Sequence, residues 1–282
     1  MNPTQKRELE RFACKVRIGI VEGVHSAKAG HPGGSLSSAD VFTWLYQREL
    51  NIDKENPRDP KRDRFVLSKG HCAPGLYSAL ANSGFFPVED LKTLRKIGSN
   101  LQGHPNMDMT PGVDMSTGSL GQGISAAAGM ALGAKKSSAD FRVYALCGDG
   151  ELQEGQVWEA MMFAAHYKLD NFCVIIDNNG LQIDGKIADV MSPYPIDEKA
   201  RAFGFEVIYA DGHDFDSLEA AFATAKSTKG KPSCVLMTTT KGKGVSFMEN
   251  NAGWHGKAPN DEEFAVAISE LTAALNAIEE DA

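Results

Sequence analysis

Two short stretches carry the residue types needed to hold a metal and a phosphate. Asp149 stands between Gly148 and Gly150, and Asn179 closes the run Asp177-Asn178-Asn179 ahead of Gly180. One carboxylate, one amide oxygen and a nearby backbone carbonyl form a hard oxygen set. Such a set suits Mg²⁺ or Ca²⁺ whose remaining ligands are diphosphate oxygens and water. Glycines beside the aspartate let backbone approach a ligand closely. Either stretch alone is ordinary turn chemistry; the specificity lies in the pair. A second group is histidine. Of the seven histidines, His31, His71, His104 and His255 fall in glycine-rich loops. A lone loop histidine is usually just solvated. Four of them beside a diphosphate-metal pair can donate to hydroxyls and phosphates and move protons near neutral pH. His25, His166 and His213 lie within or beside regular elements and read as structural.

The elements around the pair say where it sits. Val143-Tyr144-Ala145-Leu146-Cys147 is an apolar run that predicts a buried strand, and Gly148-Asp149-Gly150 follows directly. A helix is expected over roughly 152–167. A second strand, Phe172 to Ile176, runs into Asn178-Asn179. This is a βαβ unit, so the strands are parallel and the crossover right-handed. Asp149 and Asn179 then both lie past the carboxyl ends of strands in one sheet, the edge where open α/β sheets bind ligands.

The rest of the chain alternates in the same way. Helices are expected over 3–29 (with Thr4 as N-cap), 35–46, 73–83, 87–97, 120–136, 196–203, 216–226 and 261–278. Further strands are expected at 65–67, 206–209 and 233–237. Residues 98–119 lack periodicity and form a long loop of the kind usually reserved for function. The fold class is α/β: a doubly wound, mostly parallel sheet with helices on both faces, in one domain spanning 1–282. The terminal residues 279–282 are expected to fray. Gly118 to Gly123 is glycine-rich, but no strand precedes it, which argues against a dinucleotide site.

Composition excludes several classes. The net charge of −8 argues against a nucleic-acid partner. Five cysteines without Cys-x-x-Cys spacing read as reduced core thiols, and the charged N-terminus lacks a signal core; the expected location is the cytoplasm. No apolar run approaches membrane-spanning length.

The paired stretches resemble the diphosphate signature of thiamine-diphosphate (ThDP) enzymes: Gly-Asp-Gly, a spacer, then a motif ending in Asn. Further matches narrow this to transketolase: Gly30-His31-Pro32-Gly33, Ser68-Lys69-Gly70-His71, Gly103-His104-Pro105, Thr117 to Gly123, Gly148 to Gly155 and Trp254-His255-Gly256. They run over nearly the whole chain in transketolase order. The resemblance implies ThDP and Mg²⁺ as cofactors, with Ca²⁺ or Mn²⁺ as substitutes. It implies metal ligation by Asp149, Asn179 and the Leu181 carbonyl, and Gly150 against the diphosphate. It places His31, His104 and His255 at the ketose hydroxyls or leaving oxygen, and His71, Gly118 and His255 on ThDP. Leu120 and Ile183 would flank the aminopyrimidine. Lys241 resembles a diphosphate-facing lysine, and Glu159 an interface carboxylate.

The implied reaction moves a two-carbon ketol group from a ketose phosphate donor to an aldose phosphate acceptor. The resemblance is to the first of three transketolase domains only. It therefore implies a separate partner chain carrying the pyrimidine and C-terminal domains, most simply in an α2β2 heterotetramer. Other readings are the α-type subunit of a 2-oxo acid dehydrogenase, a deoxyxylulose-phosphate synthase relative, or a non-catalytic ThDP-binding subunit. The first has no need of several histidines to read polyol hydroxyls. The second shares Thr-x-Lys-Gly-Lys-Gly but is a single long chain. Intact Asp149, Asn179 and loop histidines argue against the third.

Overall fold

A computed structural model describes residues 1–280. Five strands form one sheet: β1 (Arg64–Leu67), β2 (Val143–Gly148), β3 (Phe172–Asn178), β6 (Glu206–Asp211) and β7 (Ser233–Thr238), in the order β1-β2-β3-β7-β6. Every pairing among them is parallel. A small antiparallel pair, β4 (Leu181–Gln182) with β5 (Gly185–Lys186), follows β3 and was not expected.

Side chains of a strand alternate between faces, so each strand feeds two cores. Phe65, Leu67, Tyr144, Leu146, Cys173, Ile175, Val235 and Met237 join one cluster; Val66, Val143, Ala145, Cys147, Val174, Ile176, Cys234 and Leu236 join the other. Helices α1 (Pro3–Ala27), α2 (Pro32–Ser37), α3 (Ala39–Trp44), α4 (Ala73–Asn82), α9 (Phe215–Ser227) and α10 (Asp261–Glu280) contribute to the first. Helices α5 (Gln122–Lys136), α6 (Gly155–His166) and α8 (Ile196–Ala202) contribute to the second. The sheet is doubly wound, with helices on both faces, as the alternation predicts. All five cysteines are free and buried. No helix among the described residues is long and apolar enough to cross a membrane.

Several boundaries differ from expectation, each for a local reason. The N-cap of α1 is Asn2, not Thr4: Asn2 Oδ1 accepts from Gln5 N at 2.9 Å, Gln5 returns the bond, and Pro3 takes the first helical position. The helix expected over 35–46 begins at Pro32, breaks at Ser38 and ends in a π turn, Leu45–Glu49. The hydroxyls of Ser37 and Ser38 are turned inward to Asp177 instead of solvent. The helix expected from 152 starts at Gly155, because Gly150–Gln153 first makes a 3₁₀ turn that seats Glu151 indoors. The segment expected as a helix over 87–97 is a 3₁₀ stretch, Val88–Thr93. The helix expected from 120 begins at Gln122, after Gly121 in the left-handed region at φ 80°. A short helix, α7 (Ile187–Val190), follows β5 and was also unexpected. Residues 98–119 contain no helix or strand, as read. Of the tail expected to fray, Glu279 and Glu280 close α10, while residues 281–282 lie outside the described residues.

Candidate active site at the carboxyl edge of the sheet

The register sets β2, β3 and β7 level at their carboxyl ends, pairing Gly148 with Asp177 and Asn178 with Thr238. The loops that leave this edge converge on a cavity of about 300 Å³. His31, His71, Gly118, Leu120, Asp149, Gly150, Asn179, Leu181, Ile183, Lys241 and His255 all line it. His104 does not line the cavity. Its ring packs against Gly118, where an added Cβ would meet it at 3.0 Å. Gly118 has φ 149°, so glycine is needed there both for conformation and for the histidine.

Asp149 is 2% exposed. Its Oδ1 accepts from Gly150 N at 2.8 Å and its Oδ2 from Gly180 N at 2.6 Å. Burial and the nearby charge of Asp177 raise its pKa to about 6, against the pull of those two backbone bonds. Further along the chain, Asn179 Oδ1 accepts from Leu181 N at 3.1 Å, and Lys241 Nζ sits 3.4 Å from the Leu181 carbonyl. Asp149, Asn179 and the Leu181 carbonyl are thus gathered by one short turn. No three His, Cys, Asp or Glu side chains converge as a metal cluster among the described residues. The expected set needs only one such side chain. Its other donors are amide and carbonyl oxygens, a combination that fits a hard dication shared with phosphate.

Three imidazoles pack together on the other flank. The His31 ring lies 5.2 Å from His71 and 5.5 Å from His255, both edge-on, and His71 stacks on His255 at 5.1 Å. Lys241 Nζ lies 3.1 Å from His255 Nδ1. Burial first, and then neighbouring cations, lower His31 to about 4 and His255 to about 3. His71 moves in the same direction for the same first cause. These rings are neutral at physiological pH, so they can accept protons as well as donate through one nitrogen. The closure of this flank depends on Gly33. A Cβ there would strike the Trp254 carbonyl at 2.8 Å and the Lys241 stem at 3.2 Å.

The depressed imidazoles predict a pH effect on stability. The unfolded chain binds protons at His31 and His255 below about pH 6.5, whereas the folded chain resists until about 4 and about 3. The unfolded state thus holds more protons in that window, and stability falls as pH drops through it. Denaturant unfolding of the ligand-free chain at about pH 7.5 and about pH 5 checks this. His31→Gln should shrink the difference between the two; an unchanged difference would remove the assignment.

The histidines read as structural are so placed. His25 bonds Asp261 at 2.8 Å and stacks on Phe264 at 4.0 Å, joining α1 to α10. His166 closes the last turn of α6. His213 bonds Asp40 through Nδ1 at 2.7 Å and accepts from Thr240 N through Nε2 at 2.8 Å. It therefore braces the loop that carries Lys241. Glu159 stands exposed on α6.

Around this cavity, sequence reasoning missed three buried charges. Glu151 accepts from Ser68 Oγ at 2.5 Å, Gly121 N at 2.9 Å and Gly148 N at 3.1 Å, tying three cavity-wall segments together. Asp177 and Lys69 form an ion pair at 2.5 Å, with side chains 0% and 1% exposed. The signal for them was faint: each is one polar residue inside a motif already read for its neighbours.

Comparison with known proteins gives the family. Residues 9–275 match the family model described as transketolase, thiamine diphosphate binding domain. The chain is 45% identical over 267 residues to the 6-deoxy-6-sulfo-D-fructose transketolase subunit SqwG of Clostridium sp. (strain MSTE9), covering 95% of this chain and 97% of that one. It is 42% identical over 277 residues to an apulose-4-phosphate transketolase subunit from Phocaeicola vulgatus, covering 98% of each. It is 43% identical over 252 residues to the transketolase of Homo sapiens, with 88% of this chain matching 40% of that one. The solved transketolase of Campylobacter jejuni superposes with a TM-score of 0.88 at 33% identity, over 99% of this chain and 46% of that one. The chain thus spans about half the length of the solved transketolases it matches.

Proposed function

The chain belongs to the transketolase thiamine-diphosphate-binding family, and we propose that it is the diphosphate-binding subunit of a two-chain transketolase. One observation carries this reading beyond family membership. The oxygen set of Asp149, Asn179 and Leu181 and the triad of neutral imidazoles line the same cavity. A metal-diphosphate anchor and a hydroxyl-reading, proton-moving flank are what ketol transfer between sugars requires. The alternative of a 2-oxo acid dehydrogenase subunit leaves the clustered imidazoles without work. The whole chain forms one diphosphate-binding domain, and it acts in the cytoplasm with a separate partner subunit.

In this reading Asp149, Asn179 and the Leu181 carbonyl would hold Mg²⁺, while Gly150 and Lys241 would meet the diphosphate. Leu120 and Ile183 would flank the aminopyrimidine. When bound, ThDP supplies the nucleophilic carbon that cleaves and re-forms the sugar carbon–carbon bond. His31 and His255 take and return protons at the sugar oxygens, and His71 and Gly118 contact the cofactor. His104, outside the lining but packed against Gly118, would meet donor hydroxyls. The substrates are ketose and aldose phosphates or similarly anionic sugars; two relatives are named for a sulfosugar and for apulose 4-phosphate.

The test separates chemistry from cofactor binding. His31→Ala and His104→Ala should keep Mg²⁺-dependent ThDP binding in the assembled enzyme. Each should lose about 10²–10⁴-fold in turnover, because a positioned proton donor or acceptor contributes that much. The loss should fall on kcat and not only on KM. His255→Ala should weaken both binding and turnover, since His255 also touches Lys241. Wild-type rates in both His31→Ala and His104→Ala would remove the sugar-site assignment.

A further inference from the structure

We infer that Lys69 and Asp177 are positioning residues for the metal site: one buried ion pair that fixes the amide orientation of Asn179 and pins four segments around the cavity to each other. This rests on the function proposed above.

The pair is fully satisfied. Lys69 Nζ gives its three protons to Asp177 Oδ2 at 2.5 Å, Ser38 Oγ at 2.6 Å and the Gly34 carbonyl at 3.0 Å. Asp177 Oδ2 also accepts from Ser37 Oγ at 2.6 Å and Asn179 Nδ2 at 3.0 Å, and Oδ1 accepts from Thr239 Oγ1. These partners come from different segments at the sheet edge. Gly34, Ser37 and Ser38 lie on the segment that follows His31. Lys69 precedes His71 by two residues. Asn179 follows β3, and Thr239 precedes Lys241 by two residues. To reach Asp177 from β1, Lys69 must pass the end of β2. It does so at Gly148, where an added Cβ would touch its stem at 3.7 Å.

Stability alone is a weak account of such a pair, because apolar residues of similar volume often replace buried ion pairs at no cost. The contact to Asn179 supplies a better one. A side-chain amide is ambiguous by itself: its oxygen and nitrogen can exchange places by a flip. A carboxylate is an acceptor only, so Asp177 can face only the NH₂ end. The oxygen of Asn179 is thereby turned away from Asp177, toward the turn that holds Leu181. An amide whose oxygen must meet a metal needs such a fixed partner, and partners of this kind typically matter about 10–100-fold in metal affinity.

The experiment uses the full chain with its partner subunit, titrating Mg²⁺ at fixed ThDP by calorimetry. Thermal unfolding without ligand is followed in parallel. Lys69→Met leaves Asp177 buried and unpaired, so its unfolding midpoint should drop. The double variant Lys69→Met/Asp177→Asn removes both charges and should recover much of that midpoint. Its Mg²⁺ affinity should nevertheless stay about 10–100-fold below wild type, because an amide in place of the Asp177 carboxylate can face either end of the Asn179 amide. Asp177→Asn alone should lose less affinity although its midpoint drops, because Lys69, left buried without a counter-charge, still holds an oxygen at the position that Asn179 Nδ2 meets. Affinity that follows the unfolding midpoint across the three variants would assign the pair to fold stability and overturn the inference. Wild-type affinity in the double variant would do the same. If the wild-type protein shows no Mg²⁺-dependent ThDP binding, the proposed function itself fails, and this inference with it.

Discussion

Asp149→Ala should abolish Mg²⁺-dependent ThDP retention. In the proposed set Asp149 is the one charged ligand; Asn179 and the Leu181 carbonyl are neutral. Outer-sphere changes at metal sites already cost about 10–100-fold, so deletion of the charged ligand itself should cost at least about 100-fold. Asn179→Ala should weaken binding less, because it removes a dipole and not a charge. The fold should tolerate Asp149→Ala, since two effects oppose. The amides of Gly150 and Gly180 lose their acceptors, and each such loss costs about 1–3 kcal/mol where water cannot replace it. Against that, the repulsion between Asp149 and Asp177 disappears, and this repulsion is one cause of the raised Asp149 pKa. The ligand-free unfolding midpoint should therefore move little while binding vanishes. Calorimetry of Mg²⁺-ThDP with the partner present checks the first part, and thermal unfolding the second. Undiminished binding in Asp149→Ala would withdraw the metal assignment.

Much of this site was legible because its chemistry is local in sequence. Gly148-Asp149-Gly150 and Asp177-Asn178-Asn179 each follow an apolar strand, and the strand–helix–strand order alone places them on one edge. The loop histidines were legible for the same reason, each beside glycine or proline. What was not legible is whatever depends on contacts across strands. Lys69 reads as one residue of a turn, and Asp177 as one residue of another. That they meet depends on β2 lying between β1 and β3 and ending in a glycine where Lys69 must pass. Glu151 was hidden differently. A helix is expected from 152 with Glu151 just ahead of it, but a 3₁₀ turn over Gly150–Gln153 rotates Glu151 inward to Ser68 and Gly121. Helix ends moved for similar reasons. Periodicity predicts which residues face a core, whereas caps such as Asn2 with Gln5, or Gly121 at positive φ, decide where the turn stops.

The purified chain alone should not transfer ketol groups, and a partner subunit should switch activity on. The cavity lining supports this. Asp149, Asn179, Lys241 and His255 give it charged and hydrogen-bonding groups, whereas Leu120 and Ile183 offer apolar walls only. Ile183 is 62% exposed and nearby Met191 64%, large apolar side chains left in water beside a functional cavity. Exposed apolar surface of this kind marks a place that another surface covers. ThDP held only by its diphosphate keeps a free aminopyrimidine, and the resemblance to transketolase assigns the groups that clamp it to the pyrimidine domain. Relatives that this chain covers almost end to end are named as subunits. In the proposed function a second chain completes each site. Titrating the partner into a fixed amount of this chain should raise activity from background to a plateau at one partner per chain. The same titration into Asp149→Ala should give association without activity. Robust ketol transfer by rigorously purified residues 1–282, unchanged on adding the partner, would overturn the two-chain reading.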